Sequence, residues 1–511
     1  MPGFKLVSLI LKDSPEYDAG SYQFLTAKTS NKRTAQLTTL IIGPNGTGKS
    51  RLLKIIIDIF NDLYNLKTDG NDNFKFNQYY FLTYQLNESE YTVENLKGSL
   101  KLEKKGQEIK NIRQLPLPAK GIVAAFSLHE RFTPKKAFSN KNAYRHKTRY
   151  DNDFYEYLGI KTERNYTFSG SNINKSIDLI TEALADEGFQ KDLVHVFELL
   201  DLNPFLVIEY KAQKNKDLFR KLIEQPEDLI HIINNISHQN SFSFGMLTKI
   251  RDGDKHFLQI VADSINDVKE FMNDRLSYHI ELTFDKSRNI EFRQRYKSLS
   301  LLKSLGLLNY GEIIVFKKNN RPSVLADQLL LRHMSSGEIH ILTSMLSLSA
   351  VVQNNSLVII DEPEISLHPN WQIRFVEIIN NIFKMYKDCH FIIASHSHFL
   401  VSDLNPDSSS ILVLNKDEDN KIVPELLDFD TYGWSAENVL YNVFGVATSR
   451  NHYFEMELRR MLKIISSNST SASDKVTVRR TVEKLSKFNI TKDDPLSLLL
   501  NEAKKYAAKY Q

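Results

Sequence analysis

The sequence predicts an α/β protein built on a mixed β-sheet, interrupted by a large helical insertion and followed by a helical tail. Three observations predict it. An apolar run at 38–42, a glycine-rich turn and an amphipathic stretch at 51–66 read as strand, loop and helix. Further apolar runs at 356–360, 390–394 and 410–414, with a helical stretch at 371–386 between the first two, give the β-α-β alternation of a parallel sheet. Between these halves, residues 152–318 carry few glycines and several amphipathic helical stretches.

Taken in order, residues 4–28 alternate apolar and polar side chains around a turn signal at Asp13, Ser14 and Pro15, which predicts two antiparallel strands. Residues 74–103, with Tyr79, Tyr80, Phe81 and Tyr84, predict a strand meander, and 121–126 a buried strand. The insertion predicts helices at 177–184, 191–200 and 254–272 and no alternating strand before 278–284; it lacks the sustained heptads of a long coiled coil. From 431 the pattern is helical again, with a lysine-rich end. The expected organisation is an N-terminal half at 1–151, a mainly helical insertion at 152–318, a C-terminal half at 319–430 and a helical tail at 431–511, the tail a candidate partner-docking region.

Composition sets the setting. With 511 residues, 41% hydrophobic and 25% charged, the chain is ordinary for a water-soluble protein of two or three domains. A net charge of +4 neither demands nor excludes nucleic acid. The lone Cys389 permits no intramolecular disulfide and no cysteine-based zinc site, which fits a reducing compartment. Nowhere do eighteen apolar residues follow one another, and the N-terminus lacks a signal-peptide pattern, so a cytoplasmic location is expected.

Two motifs carry phosphate chemistry. Gly43, Pro44, Asn45, Gly46, Thr47, Gly48, Lys49 and Ser50 match the phosphate-loop pattern in full, between a strand and a helix. The glycines let the backbone wrap a phosphate, Lys49 reaches the β- and γ-phosphates, and Ser50 can bind magnesium. In "LVIIDEPE", residues 357–364, a buried strand delivers Asp361 to the same metal and places Glu362 to polarise an attacking water as general base. His396, off the end of the strand in "FIIASHSHFL", could hydrogen-bond the γ-phosphate or that water. The stretch "LRHMSSGEIHIL" places Ser336, Gly337 and Glu338 at a helix start, where unpaired N–H groups and the helix dipole favour an anion.

The order phosphate loop, Ser-Ser-Gly-Glu, Asp-Glu, His resembles the ABC class of ATPases. That resemblance implies a cofactor, ATP with Mg2+, and a head-to-tail dimer in which Ser336 and Gly337 of one copy cap the ATP held by the other. Two departures stand out: His368 takes a position usually aspartate in transporter cassettes, and the magnesium-sensing glutamine has no obvious counterpart, with Ser127 or His129 near its place and Gln78 and Gln85 better suited to the meander.

"DEPEISLHPNWQ" and "IIASHSHFLVSDL" resemble the SMC-like and OLD-like ATPases (AAA-type in the broad sense) of prokaryotic DNA repair and phage defence. The tail "YGWSAENVLYNVFGVATSRNHYFEMELRRML" is similar to that of the defence ATPases of the Septu type (PtuA) and their retron-associated relatives. The resemblance implies a regulatory or sensor subunit controlling a separate HNH nuclease, with a reverse transcriptase and its msDNA, or another nucleic acid, as a further partner; a DNA-clamping repair ATPase is the alternative.

No nuclease activity is expected in this chain. Asp417 and Asp419 in "LNKDEDNKI" are spaced like a Toprim acidic pair, but a polar hairpin turn explains them and the remaining residues are mostly helical. The fourteen histidines show no HNH spacing. Residues 131–149 carry seven Lys/Arg and no acid, with Phe and Tyr interleaved; this suits nucleic-acid contact, a solvated loop, or a cover over the nucleotide.

Overall fold

Strands buried on both faces need no alternation, and the continuous apolar runs of this chain form such a sheet. The computed structural model describes residues 3–12, 19–31, 36–69, 78–96, 98–127, 131–134, 152–159, 169–185, 193–212, 216–225, 255–284, 289–318, 328–365, 367–384, 386, 388–402, 404–429, 431–434, 438–439, 452–466, 471–485, 500–501 and 503–505. Seven strands lie side by side in the order Ile422–Leu426, Ser409–Lys416, Gln36–Ile42, Cys389–Ser395, Leu357–Asp361, Gly121–Ala125 and Tyr155–Tyr157. All pairs are parallel except the outermost hairpin, Ile422–Leu426 against Ser409–Lys416.

A second, antiparallel sheet follows the order Gly20–Gln23, Lys5–Leu11, Tyr80–Leu86, Ser89–Leu96, Ser99–Lys104 and Gln107–Glu108. Helix Lys49–Asp69 is held between the two sheets. It buries Leu53, Ile56, Ile57, Phe60 and Leu63 in one core with both, and Phe60 meets the rings of Phe4 and Tyr84 edge-on at 5.4 and 5.5 Å. The phosphate loop at its head therefore sits on a fixed element.

A buried polar pin also joins the sheets. His390 accepts a hydrogen bond from Leu6 N at Nδ1, 3.0 Å, and pairs through Nε2 with Thr39 Oγ1 at 2.8 Å. Thr39 and Ser410 both donate to the carbonyl of Phe24. Because Nδ1 accepts, the neutral ring carries its proton on Nε2. Burial, with the Lys5 charge assisting, pushes the His390 pKa from 6.5 down to about 3. Between those values the unfolded chain binds a proton that the folded chain refuses, so stability falls as pH drops below about 6.5, by up to about 1.4 kcal/mol per unit. Melting temperatures measured downward from neutral pH should fall in the wild type; His390→Phe should start lower, having lost the hydrogen bonds, and show a flatter pH dependence.

The insertion is less purely helical than its pattern predicts. Helices Ser169–Ala185, Val194–Leu199, Lys216–Glu224, Lys255–Lys269 and Ile290–Ser304 predominate, yet a four-stranded antiparallel sheet runs through it in the order Ser277–Thr283, Leu202–Lys211, Asn309–Lys317, Gln328–Leu330. The last strand lies beyond 318, so this sheet crosses the expected boundary. Leu206, Ile208 and Tyr210 are buried at period two, but Phe205 and Val207 at the alternate positions are apolar as well and hide the alternation.

Contacts divide the chain at Gly433 and Trp434. In the C-terminal unit, helices His452–Ser466 and Ala472–Leu485 bury Leu458, Met461, Val478, Val482 and Leu485, with Leu500 and Ala503 in the same cluster. Among the described residues no helix is long and apolar enough to cross a membrane.

Candidate functional site

Register brings the motif residues together. Ile42 pairs with Ser395, while Ala394 pairs with both Ile41 and Asp361, so the phosphate loop, Asp361 and His396 leave the carboxyl ends of three adjacent parallel strands. That edge is where open α/β sheets build ligand sites.

Lys49, at the first turn of its helix, is 5% exposed. Its ammonium donates to the carbonyls of Gly43 and Pro44 at 2.7 and 3.1 Å, so it lies folded along the loop. Thr47 Oγ1 also donates to Pro44 O, at 2.9 Å, bracing the turn. Burial lowers the Lys49 pKa to about 8, against the opposing pull of Glu362, Glu364 and Asp361. Ser50 Oγ donates to Asp361 Oδ1 at 3.0 Å. The two residues predicted to share a metal are thus neighbours.

Glu362 follows the strand with φ +54°, and its N–H donates to Ala394 O at 2.9 Å. A left-handed conformation costs a side-chain-bearing residue about 1–2 kcal/mol. Here it accompanies a turn that sets Glu362 Oε1 3.6 Å from His396 Nε2. On the other side of the imidazole, Nδ1 lies 3.3 Å from Lys49 Nζ. Burial lowers the His396 pKa and the Lys49 charge lowers it further, while Glu362 and the Gly43 backbone pull the other way. The ring is neutral at physiological pH, the state in which it can both donate and accept.

Behind these groups stands a support that the motifs alone do not single out. Glu364 Oε1 accepts the backbone N–H of His396 at 2.6 Å. Burial, with Glu362 adding to it, raises the Glu364 pKa, against the hydrogen bonds it accepts. Gln372, in helix Pro369–Ile382, donates to the carbonyl of Leu367 at 2.9 Å and accepts from Ser397 Oγ at 2.7 Å. It ties the segment after Glu362 to the loop that carries His396. The sequence signal is the second glutamate of "DEPE", overshadowed by the first.

The signature residues form their own cap. Helix Ser336–Val351 begins at Ser335, whose Oγ accepts from Glu338 N at 3.3 Å, while Glu338 Oε2 accepts from Ser335 N at 2.7 Å. The Glu338 carboxylate, expected among nucleotide contacts, is thus taken up by a capping box. Ser336 is exposed and Gly337 buried. His340, one turn on, meets the ring of Phe126 at 4.4 Å, and burial drives its pKa down to about 4. Since Phe126 N donates to Asp361 O, the signature helix packs close to the acidic strand end.

His368 caps the helix that follows, accepting at Nδ1 from Asn370 N at 3.3 Å ahead of Pro369. Gln85 pairs within the antiparallel sheet, and the Gln78 carbonyl accepts from Asn95. His129 and residues 135–149 of the basic stretch lie outside the described residues. Asp417 and Asp419 sit in the turn of the hairpin, where Asp417 Oδ1 accepts from the N–H groups of Asp419 and Lys421 at 3.0 and 2.8 Å. That is a turn-forming aspartate.

A comparison with curated proteins finds no match. Among solved structures, the chain is similar to the Smc head domain of Pyrococcus furiosus, solved with an extended coiled coil and bound to the C-terminal domain of ScpA: 12% identity, 83% of this chain and 96% of that one, TM-score 0.33. It is also similar to the SMC head domain of Thermotoga maritima: 12% identity, 83% and 100% coverage, TM-score 0.34. Residues 214–402 match the family described as "AAA domain, putative AbiEii toxin, Type IV TA system". The matched stretch takes in Ser336, Gly337, Asp361, Glu362 and His396 and leaves out the phosphate loop, so over little more than a third of its length the chain is similar to an AAA-domain family.

Proposed function

We propose that this chain binds and hydrolyses ATP, and that bound ATP governs its assembly. The observation that carries this reading is the convergence of Lys49, Ser50, Asp361, Glu362 and His396 at the ends of three neighbouring strands. Ser50 Oγ and Asp361 Oδ1 are the hard oxygen donors that magnesium takes, so these residues fit the ion. When bound, magnesium neutralises charge on the phosphates. Lys49 would leave the Gly43 and Pro44 carbonyls for the β- and γ-phosphates. Glu362 would accept the proton of the attacking water, and His396 would hydrogen-bond the γ-phosphate or that water. Ser336 and Gly337 would complete the site of a second copy in a head-to-tail dimer.

Built on this, the chain acts as the sensor or regulatory subunit of an anti-phage complex that restrains a separate HNH-type nuclease, with a reverse transcriptase and msDNA as further components. Two points support that reading: the Septu-type resemblance of the tail, and a matching family whose description names a toxin of a toxin–antitoxin system. The tail unit at 434–511 is the candidate docking element. One observation favours the alternative, a DNA clamp of the repair type: the basic stretch at 131–149.

Co-purification with the products of neighbouring genes, followed by mass measurement with and without ATP, separates the two. A nuclease captured in an assembly whose mass changes with ATP is the expected result. A lone chain that binds DNA with steep salt dependence would establish the clamp instead.

A further inference from the structure

The hairpin that closes the large sheet packs directly on the phosphate loop at three of its glycines. A Cβ on Gly43 would lie 2.2 Å from the carbonyl oxygen of Leu414, so only glycine lets loop and hairpin approach this closely. A Cβ on Gly48, where φ is +82°, would meet Ile422 Cδ1 at 3.3 Å. Between them, a Cβ on Gly46 would lie 3.8 Å from the ammonium of Lys416. Lys416 and Ile422 are cross-strand partners at the last paired position of the hairpin, so one residue pair delivers both contacts.

The cation is available for a ligand. Lys416 is exposed, and among the described residues no ion pair claims it. The nearest acid in sequence, Asp417, has its Oδ1 engaged by the turn that it closes. Gly46 is itself exposed, at the outer bend of a loop whose N–H groups are built to surround phosphate. A lysine ammonium held beside that bend stands within side-chain reach of whatever anion the loop binds. The hairpin is pinned by five cross-strand pairs and by the parallel strand Gln36–Ile42, so the sheet fixes the backbone from which Lys416 reaches the loop.

We propose that Lys416 is a second phosphate-binding cation of the site, supplied by the same chain as Lys49 but from the hairpin that packs on the loop. This rests on the ATP reading above. It gives the segment at 414–422 a role in holding a nucleoside triphosphate.

The test is equilibrium binding of ATP, ADP and AMP, each with magnesium, to the full-length wild type, Lys416→Ala, Lys416→Arg, Lys416→Glu and Lys49→Ala. Lys416→Ala should raise the Kd for ATP by about five- to tenfold, as expected for one charge-assisted contact. Lys416→Arg should recover most of that loss and Lys416→Glu should exceed it, with AMP affected least. Unchanged melting temperatures of the nucleotide-free variants would assign the effect to the contact. ATP affinity equal to wild type in Lys416→Ala and Lys416→Glu, with Lys49→Ala still defective, would overturn the proposal and leave the ATP site standing. No nucleotide binding by the wild type would overturn the ATP reading and this proposal with it.

Discussion

Glu362→Gln should lower ATP turnover by about 10²–10⁴-fold while leaving ATP bound, the loss expected when a positioned general base is removed. The amide keeps the size of the carboxylate and its hydrogen-bonding reach toward His396, 3.6 Å away, but cannot take a proton from water. Binding survives because the loop, Lys49 and Ser50 are untouched. The variant should accumulate the ATP-bound assembly, visible as a larger mass that does not decay with time. Phosphate release measured beside nucleotide binding checks both halves. Turnover equal to wild type would move the base elsewhere, and Glu364 would be the next candidate, because it faces the same cluster.

Lys49→Ala should weaken ATP binding by about 10²-fold, since a buried ammonium making charge-assisted contacts to phosphate contributes about 1.5–3 kcal/mol. The variant should also fail to form any ATP-dependent assembly, unlike Glu362→Gln. A pH effect accompanies it. Free Lys49 has a pKa lowered to about 8, and a bound triphosphate favours its charged form. Affinity in the wild type should therefore fall as pH rises through about 8, and Lys49→Ala should lack that step. Equal behaviour of the two variants in binding and assembly would contradict the assigned roles.

The parts of this site that the sequence made legible are those whose chemistry is confined to neighbours in the chain. The phosphate loop is eight consecutive residues between a strand and a helix, and Asp361 and Glu362 adjoin at a strand end. His396 could be proposed because it follows an apolar run, yet its position beside Lys49 depends on which strands are adjacent, and that is fixed by sheet order.

What stayed hidden depends on long-range pairing or on local caps. Lys416 reads as one charge in a polar turn; only the folding of its hairpin beside strand Gln36–Ile42 brings it to Gly46. His390 reads as a polar residue in a buried strand, and its partners lie 384 and 351 positions away at Leu6 and Thr39. Glu338, at the helix start that favours an anion, and His368, which departs from the transporter pattern, both use their side chains to close helix starts, a role open to any acceptor at those positions. Of the insertion's strands, 278–284 is legible as an alternating run, whereas Leu202–Lys211 and Asn309–Lys317 are not, because apolar residues on both faces blur a period of two.

The central claim is that this chain holds ATP in the loop at residues 43–50. Titration of the purified wild-type chain with ATP, with and without magnesium, tests it most directly. Saturable binding of one nucleotide per chain, tightened by magnesium, is the predicted result; no binding, or binding that leaves the nucleotide indifferent to both magnesium and Lys49→Ala, would contradict it.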